Sequence, residues 1–172
     1  MKLEKSDEIV RMSLHDLEDV LAIERDSFSN PWPKDHFRQI ISDRKHAVPL
    51  VAKRDGEVIG YGIAWLKFET FHIGNLAVHR SFRRRKIGQR LLRALMETGL
   101  GRDCRLATLE VRETNQAAIS LYRKFGFSPV ALQTGYYDDT GENAIIMMTE
   151  LRQDVRTPPG YQMIPHVEEK DR

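Results

Sequence analysis

The stretch Ser81–Leu95, SFRRRKIGQRLLRAL, places four consecutive cations directly before an apolar pattern of helical spacing. Apolar residues three and four positions apart, from Ile87 to Leu95, predict an amphipathic helix that ends near residues 99–101. The first turn of a helix presents unpaired N–H groups and a positive dipole end, and Gly88 lets a ligand approach the backbone closely. The segment therefore predicts a site for one or two phosphate groups. The alternative is a solvated basic turn before a surface helix.

The overall charge of the chain indicates that this basic cluster is a local site. The 172 residues include 27 basic and 25 acidic side chains, a net charge of +2, whereas a protein that binds a nucleic-acid backbone usually has a basic face. A hydrophobic content of 41% is enough for one globular core. The single cysteine, Cys104, excludes an internal disulfide framework and a cysteine-rich metal site.

The compartment and the metal content are predicted from what the sequence lacks. The first ten residues have no apolar segment typical of a signal peptide, and no run approaches the ~20 apolar residues that span a membrane. The six histidines show no metal-ligand spacing. We therefore expect a cytoplasmic protein with no metal and no membrane association.

Hydrophobic periodicity divides most of the chain into helices and strands. A first helix begins with a capping box formed by Ser13 and Asp16, and a second follows the proline-containing break at residues 29–33. The buried face of the first helix is predicted to hold Leu14, Leu17, Val20 and Leu21. The dipeptide Asp55-Gly56 predicts the tight turn of a β-hairpin formed by residues 47–67.

Strands are further predicted at residues 71–78, 105–111 and 143–151, with a helix that begins at Asn115 and has Gly126 just past its end. This order predicts an α/β fold in which helices flank a mixed sheet. Residues 1–151 would form the domain. Residues 152–172 hold three of the seven prolines and are predicted to be a C-terminal tail, ordered only if it docks.

Several motifs in this chain resemble those of the GNAT superfamily of N-acetyltransferases. RRRKIGQRLL resembles its coenzyme-binding segment, (Q/R)-x-x-G-x-(G/A), with Arg83 first, Gly88 last and Lys86 where the first glycine is expected. LEVRETNQAAISLYRKFGF, GYYDDTGENAIIMM and NPW are similar to segments of N-terminal protein acetyltransferases. The resemblance covers about residues 8–150 and is greatest to the bacterial ribosomal-protein-alanine N-acetyltransferases.

The resemblance implies the GNAT fold, a mixed, mostly antiparallel sheet flanked by helices, with a V-shaped splay between strands 4 and 5. It also implies acetyl-CoA as the acetyl donor. The residues then expected to contact it are Leu76, Ala77, Val78, Arg83, Arg84, Arg85, Lys86, Ile87, Gly88, Gln89, Asn115 and Tyr122. A lysine at position 86 keeps its N–H available if its backbone is helical. The alternative role of Asn115 is a plain helix N-cap.

Acetyl transfer to an amine needs a base for the amine and an acid for the leaving thiolate. Glu110 is the candidate base, since it lies in the apolar strand LATLEV, where burial would raise the pKa of a carboxyl group. The alternative is that it alternates onto the solvent face of that strand. Tyr122 is the candidate acid, although its helical spacing also suits a core aromatic residue. The resemblance implies the catalytic role for both residues.

The acceptor is expected to be a protein N-terminus, by resemblance that of a ribosomal protein that begins with alanine. The residues implied in its binding are Pro31, Trp32, Asn75, Tyr136 and Tyr137. Asp138 stands where the subgroup often has proline. Trp32 could instead pack the helix break. We expect a monomer or weak homodimer that does not bind nucleic acid directly.

Two other functions remain open at this point. One keeps the fold and the coenzyme but acetylates a lysine side chain or a small amine. The other is a ribosome- or RNA-binding module that places residues 83–86 on phosphates, with an affinity that falls steeply with salt. The second alternative leaves Glu110, Asn115 and Tyr122 without a role.

Overall fold

Seven strands form a mixed sheet in the computed structural model, which describes residues 7–152. The strands are β1 (Glu8–Arg11), β2 (Ala47–Arg54), β3 (Glu57–Lys67), β4 (Thr70–Val78), β5 (Leu106–Arg112), β6 (Ser128–Tyr137) and β7 (Glu142–Glu150). Their order across the sheet is β1-β2-β3-β4-β5-β7-β6. Neighbouring strands are antiparallel except β4 and β5, which run parallel. The predicted mixed, mostly antiparallel sheet is confirmed.

Helices cover the two faces of the sheet, and each face has its own hydrophobic core. The helices are α1 (Leu17–Ser27), α2 (Lys34–Ser42), α3 (Ile87–Gly101) and α4 (Gln116–Lys124). Leu91, Leu92 and Leu95 of α3 are fully buried in one core together with Phe71 of β4. The other core, under α1 and α2, contains Val20, Phe37 and Tyr61. The apolar pattern that follows the basic cluster therefore anchors α3 to the sheet.

Most of the predicted local structure is confirmed. The carboxylate of Asp16 accepts hydrogen bonds from the backbone N–H of Ser13 at 2.8 Å and from its hydroxyl at 2.9 Å, which completes the capping box. Gly126 has a φ of 88°, and the N–H of Phe127 donates to the carbonyl of Tyr122 at 3.1 Å, as in a Schellman ending.

One predicted core residue and two missed strands are corrections. Leu14 is 61% exposed, because it lies in a short 3₁₀ turn before α1 and does not share the helical face. Strand β1 was not predicted, and neither was β6, whose residues are exposed except the last. An edge strand without alternating burial carries no period-two signal. The predicted tail lies outside the described residues except for Arg152.

The sheet splits at the parallel pair, as the V-shaped splay expected between strands 4 and 5. Residues Thr70–Ile73 of β4 pair with Leu106–Leu109 of β5, and the pairing ends there. Beyond that point β4 stays with β3 through a bulge at Gly74, while β5 stays with β7. A Cβ on Gly74 would lie 2.0 Å from the Trp65 ring, so only glycine fits this bulge. The split therefore begins beside Gly74.

Candidate active site

Glu110 is the first residue of β5 past the end of the parallel pairing. Its side chain is 26% exposed, and one carboxylate oxygen lies 3.0 Å from Nε2 of His72 on β4. The other ring nitrogen of His72, Nδ1, lies 2.9 Å from the hydroxyl of Thr108. Burial alternates along β5 and leaves Glu110 on the less buried face, as the alternative interpretation of the strand predicted. A carboxylate thus lies where the two strands separate.

Tyr122 is on α4 and belongs to the core that α3 and α4 share. The residue is 8% exposed, and its ring packs edge-on against Phe127 at 5.8 Å between centroids. Burial, with a smaller contribution from Tyr137, raises the pKa of Tyr122 to about 12. The hydroxyl is therefore protonated at neutral pH and can donate a proton or a hydrogen bond.

Tyr136 and Tyr137 end β6, and their rings meet edge-on at 5.0 Å. Burial raises the pKa of Tyr137 to about 12, and the negative charge of Glu110 contributes to this shift. Burial and Glu110 also raise the pKa of Tyr136. Glu110 therefore affects the pKa of both tyrosines, and Tyr137 in turn affects the pKa of Tyr122.

Arg112 fixes the turn that follows the tyrosine pair. Its guanidinium lies 3.9 Å from the centre of the Tyr137 ring, and one of its nitrogens is 3.0 and 2.9 Å from the two carboxylate oxygens of Asp139. Another nitrogen is 3.4 Å from the carboxylate of Glu142. The arginine of LEVR therefore holds the β6–β7 turn against the end of β5.

Asp139 also connects this turn to the loop between α1 and α2. The hydroxyl of Ser29 donates a hydrogen bond to its carboxylate across 110 residues of sequence. Hydrogen bonds from Ser29 and Arg112 hold the pKa of Asp139 below its usual range. The two segments predicted to line the acceptor groove, residues 31–32 and 136–137, are thus held by one connected set of side chains.

A buried carboxylate holds the α1–α2 loop to the sheet. Glu24 is 1% exposed and accepts hydrogen bonds from the backbone N–H of Trp32 at 2.9 Å, from the Asn75 amide at 3.0 Å and from the Tyr61 hydroxyl. The Trp32 ring packs against Trp65, with 5.8 Å between centroids. Asn75 and Trp32, both predicted to bind the acceptor, are therefore connected through Glu24.

The basic cluster contains two residues with a left-handed backbone. Lys86, the N-cap of α3, has φ 63° and ψ 12°, so its backbone is not that of a right-handed helix. Arg84 is also left-handed, with φ 60°. The side chain of Arg83 folds back, donating to the Val78 carbonyl at 3.0 Å and lying 3.4 Å from the Ser27 hydroxyl. Two left-handed residues other than glycine so close together are uncommon, and they set the shape of the turn before α3.

The first turn of α3 leaves space for a ligand. A Cβ on Gly88 would lie 3.7 Å from Val78 and 3.8 Å from Leu121, so packing within the protein does not require a glycine here. Ile87 is buried, and Gln89 is half-buried beside this glycine. The glycine therefore leaves room for a ligand to approach the backbone closely.

The remaining predicted coenzyme contacts flank the split. Leu76, Ala77 and Val78 form the end of β4, where β5 no longer pairs with it. Asn115 caps α4, since its side-chain oxygen accepts from the N–H of Ala118 at 3.2 Å. The N-cap alternative is therefore observed, and it is compatible with a further contact through the side-chain NH₂ group.

The described part of the chain contains neither a metal-binding cluster nor a membrane-spanning helix. In residues 7–152, no cluster of three or more His, Cys, Asp or Glu side chains has a geometry that could hold a metal ion. None of the helices within the same residues is long and apolar enough to cross a membrane.

A sheet that splits at a parallel strand pair, with a helix N-terminus near the split, defines an acyltransferase fold. Residues 17–127 match the Acetyltransferase (GNAT) family, and the chain belongs to this family of acetyltransferases. A Bacillus subtilis protein, provisionally named a ribosomal protein bS18-alanine N-acetyltransferase, is 36% identical over 142 residues, which are 83% of this chain and 94% of that protein.

A second relative supports this family, and two solved structures have the same fold. The Escherichia coli ribosomal protein bS18-alanine N-acetyltransferase is 30% identical over 134 residues, 77% of this chain and 89% of that protein. The crystal structure of the Escherichia coli enzyme superposes with a TM-score of 0.78 and 24% identity over 92% of this chain and 100% of that one. The crystal structure of Arabidopsis thaliana NAA60 in complex with acetyl-CoA superposes with a TM-score of 0.75 and 21% identity, over 85% of this chain and 99% of that one.

Sequence reasoning missed His72, Glu24, Arg112 and Asp139. Glu24 carried a detectable signal, because it continues the spacing of Leu17, Val20 and Leu21 onto the buried face of α1. His72 carried none, because only the parallel register of β4 and β5 brings it beside Glu110.

Proposed function

We propose that this acetyltransferase transfers an acetyl group from acetyl-CoA to the N-terminal α-amino group of a protein. The acceptor we propose is a ribosomal protein with N-terminal alanine, modified in the cytoplasm. One observation carries the proposal: Glu110 lies at the point where β4 and β5 separate. The names of two relatives, which are 36% and 30% identical to the chain, support the acceptor.

The coenzyme would bind where the basic cluster meets α3. The exposed side chains of Arg84, Arg85 and Lys86 surround the helix N-terminus and supply positive charge for a diphosphate. Gly88 gives that diphosphate close access to backbone N–H groups. The pantetheine arm would then follow β4 into the split, which directs the thioester toward Glu110.

The reaction needs one proton acceptor, one proton donor and stabilisation of an oxyanion. The neutral amine attacks the thioester carbonyl as its proton passes to Glu110, directly or through a water molecule. A backbone N–H near Ala77 and Val78 would stabilise the oxygen that becomes negative. Collapse breaks the C–S bond, and the Tyr122 hydroxyl donates to the departing sulfur. The proton on Glu110 then passes through solvent to the Tyr122 oxygen, which restores both side chains.

The pKa of the acceptor amine favours an α-amino group over a lysine side chain. An α-amino group has a pKa of about 7.7–8.0, so an appreciable fraction is neutral at physiological pH. A lysine amine, at about 10.4, is almost fully protonated and requires a stronger base. We therefore expect the single carboxylate of Glu110 to be sufficient as the proton acceptor for an α-amino group.

Mass spectrometry of peptides tests the proposal. Peptides that begin with free alanine are incubated with acetyl-CoA beside N-terminally blocked peptides that contain lysine. We expect a gain of one acetyl group mapped to the α-nitrogen. Acetylation of the lysine side chain alone would contradict the proposed acceptor, and failure to acetylate any amine would contradict the reaction.

Substitution of the two catalytic candidates tests the mechanism. Glu110→Gln should lower kcat/KM by about 10²-fold, most at low pH, where more of the amine is protonated. Tyr122→Phe keeps the ring packing and should lower kcat by a similar factor. Glu69→Gln is the matched control, because Glu69 is exposed and lies 3.9 Å from Arg105. Full activity of Glu110→Gln across pH would remove Glu110 from the mechanism.

A further inference from the structure

Three side chains from two adjacent strands form a hydrogen-bonded row at the split. The Thr108 hydroxyl is 2.9 Å from Nδ1 of His72, and Nε2 of the same ring is 3.0 Å from a carboxylate oxygen of Glu110. The parallel register pairs His72 with Thr108, so all three side chains lie on the same face of the sheet. His72 is 30% exposed, and both ring nitrogens have a partner.

The two contacts determine which ring nitrogen carries the proton. The ionised carboxylate of Glu110 only accepts hydrogen bonds, so Nε2 must carry a hydrogen and donate it. In the neutral imidazole, Nδ1 then accepts from the Thr108 hydroxyl. A hydroxyl can also accept, so it can rotate and keep its contact when Nδ1 becomes protonated. The row therefore stays hydrogen-bonded in both states of the imidazole, while the charge beside Glu110 changes.

We propose that His72 is a positioning residue for Glu110 and makes its function as a base depend on pH. The neutral ring holds one carboxylate oxygen of Glu110 and leaves the other for the proton of the amine. The protonated ring places a positive charge 3.0 Å from the carboxylate, which stabilises its ionised form and makes it a poorer proton acceptor. This inference rests on the proposed function, since it assigns a role at the same site.

Imidazole is the side chain whose charge ordinarily changes between pH 5 and 8, and His72 is an imidazole in direct contact with Glu110. Within residues 7–152, Tyr136 and Tyr137 of β6 interact electrostatically with Glu110, and Arg112 of β5 contacts the Tyr137 ring. Arginine stays charged, and burial raises the pKa of both tyrosines. The register places apolar Ile146 and Met148 of β7 beside Glu110 and Thr108, and Trp65 of β3 beside His72.

Kinetics of His72 variants on an alanine peptide, with saturating acetyl-CoA, test the role. His72→Ala should lower kcat about tenfold or more, the scale on which partners of catalytic groups act. His72→Gln should recover most of that loss above pH 7, because the glutamine amide can donate the same hydrogen bond. On the acid side of the pH profile, the decrease in kcat/KM of His72→Gln should also depend on one protonation fewer than the decrease in the wild type. Binding of acetyl-CoA, measured by calorimetry, should be unchanged.

A matched control and a second readout separate this role from a structural one. His46→Gln removes another histidine that contacts a carboxylate, at 3.2 Å from Asp43, and should change neither kcat nor the pH profile. Nitrogen-15 NMR of the intact protein should show His72 protonated at Nε2, with signals that move in Glu110→Gln. Signals that stay unchanged, or a His72→Gln acid limb identical to the wild type, would overturn the inference. Wild-type protein that acetylates no peptide would instead overturn the proposed function, because the NMR result does not depend on turnover.

Discussion

Replacement of Lys86 by glycine should stabilise the protein, although a glycine ordinarily weakens a fold. Lys86 has a left-handed backbone, with φ 63° and ψ 12°, at the position where the coenzyme-binding motif expects glycine. The Cβ of an L-residue is too close to its own following carbonyl oxygen in this conformation, and glycine avoids that contact. The lysine side chain is exposed, so its removal costs little packing.

The expected size of the effect follows from two opposing terms. A left-handed non-glycine residue costs roughly 1–2 kcal/mol. Glycine also lowers the free energy of unfolding by about 0.4–1 kcal/mol, because it gives the unfolded chain more conformational freedom. Lys86→Gly should therefore be about 0.5–1 kcal/mol more stable than Lys86→Ala, which keeps the Cβ and removes the same charge. For a domain of this size that difference raises Tm by about 1–4 °C.

Urea unfolding of the purified variants provides the measurement, with position 85 as control. Arg85 does not have a positive φ, so glycine should be the less stable replacement at this position. We expect Arg85→Gly to be about 0.5–1 kcal/mol less stable than Arg85→Ala. Both variants at each position remove one charge, so their difference reports the backbone alone. If Lys86→Gly is less stable than Lys86→Ala, the left-handed conformation of residue 86 is refuted.

Three further predictions concern other positions in the site. Glu24→Gln should lower the free energy of unfolding by about 1–3 kcal/mol, because its NH₂ group cannot accept the hydrogen bonds that reach the carboxylate; an unchanged urea midpoint would contradict the buried network. Gly74→Ala should lower the free energy of unfolding by about 1–3 kcal/mol, because the added Cβ overlaps with Trp65. Gly88→Ala should leave the unfolding midpoint nearly unchanged and should weaken acetyl-CoA binding in calorimetry. Equal effects of the two variants on stability would contradict the difference in space at the two glycines. Arg112→Lys should raise the KM of the peptide severalfold without affecting acetyl-CoA binding, since one ammonium cannot replace all the guanidinium contacts; a change confined to acetyl-CoA binding would contradict its role in the β6–β7 turn.

Many of the confirmed predictions concern interactions between residues close in sequence. The capping box at Ser13, the positive φ values of Asp55 and Gly56 and the ending at Gly126 each involve residues within about five positions. The buried face of α3 follows from a spacing that repeats within one helix. Such features are determined by local sterics and hydrogen bonding, so the sequence alone can predict them.

The helices and five of the seven strands could be predicted from the sequence, which also named Glu110 and Tyr122 as candidates. Tertiary structure decided which residues meet across the sheet. The hydrogen bond between His72 and Thr108 spans 36 residues, and the one between Ser29 and Asp139 spans 110. Both depend on strand register and on the split between β4 and β5, which arise from packing of the whole sheet and leave no periodic signal in the chain. The left-handed backbone of Lys86 likewise follows from how β4 connects to α3, since lysine by itself favours the right-handed region.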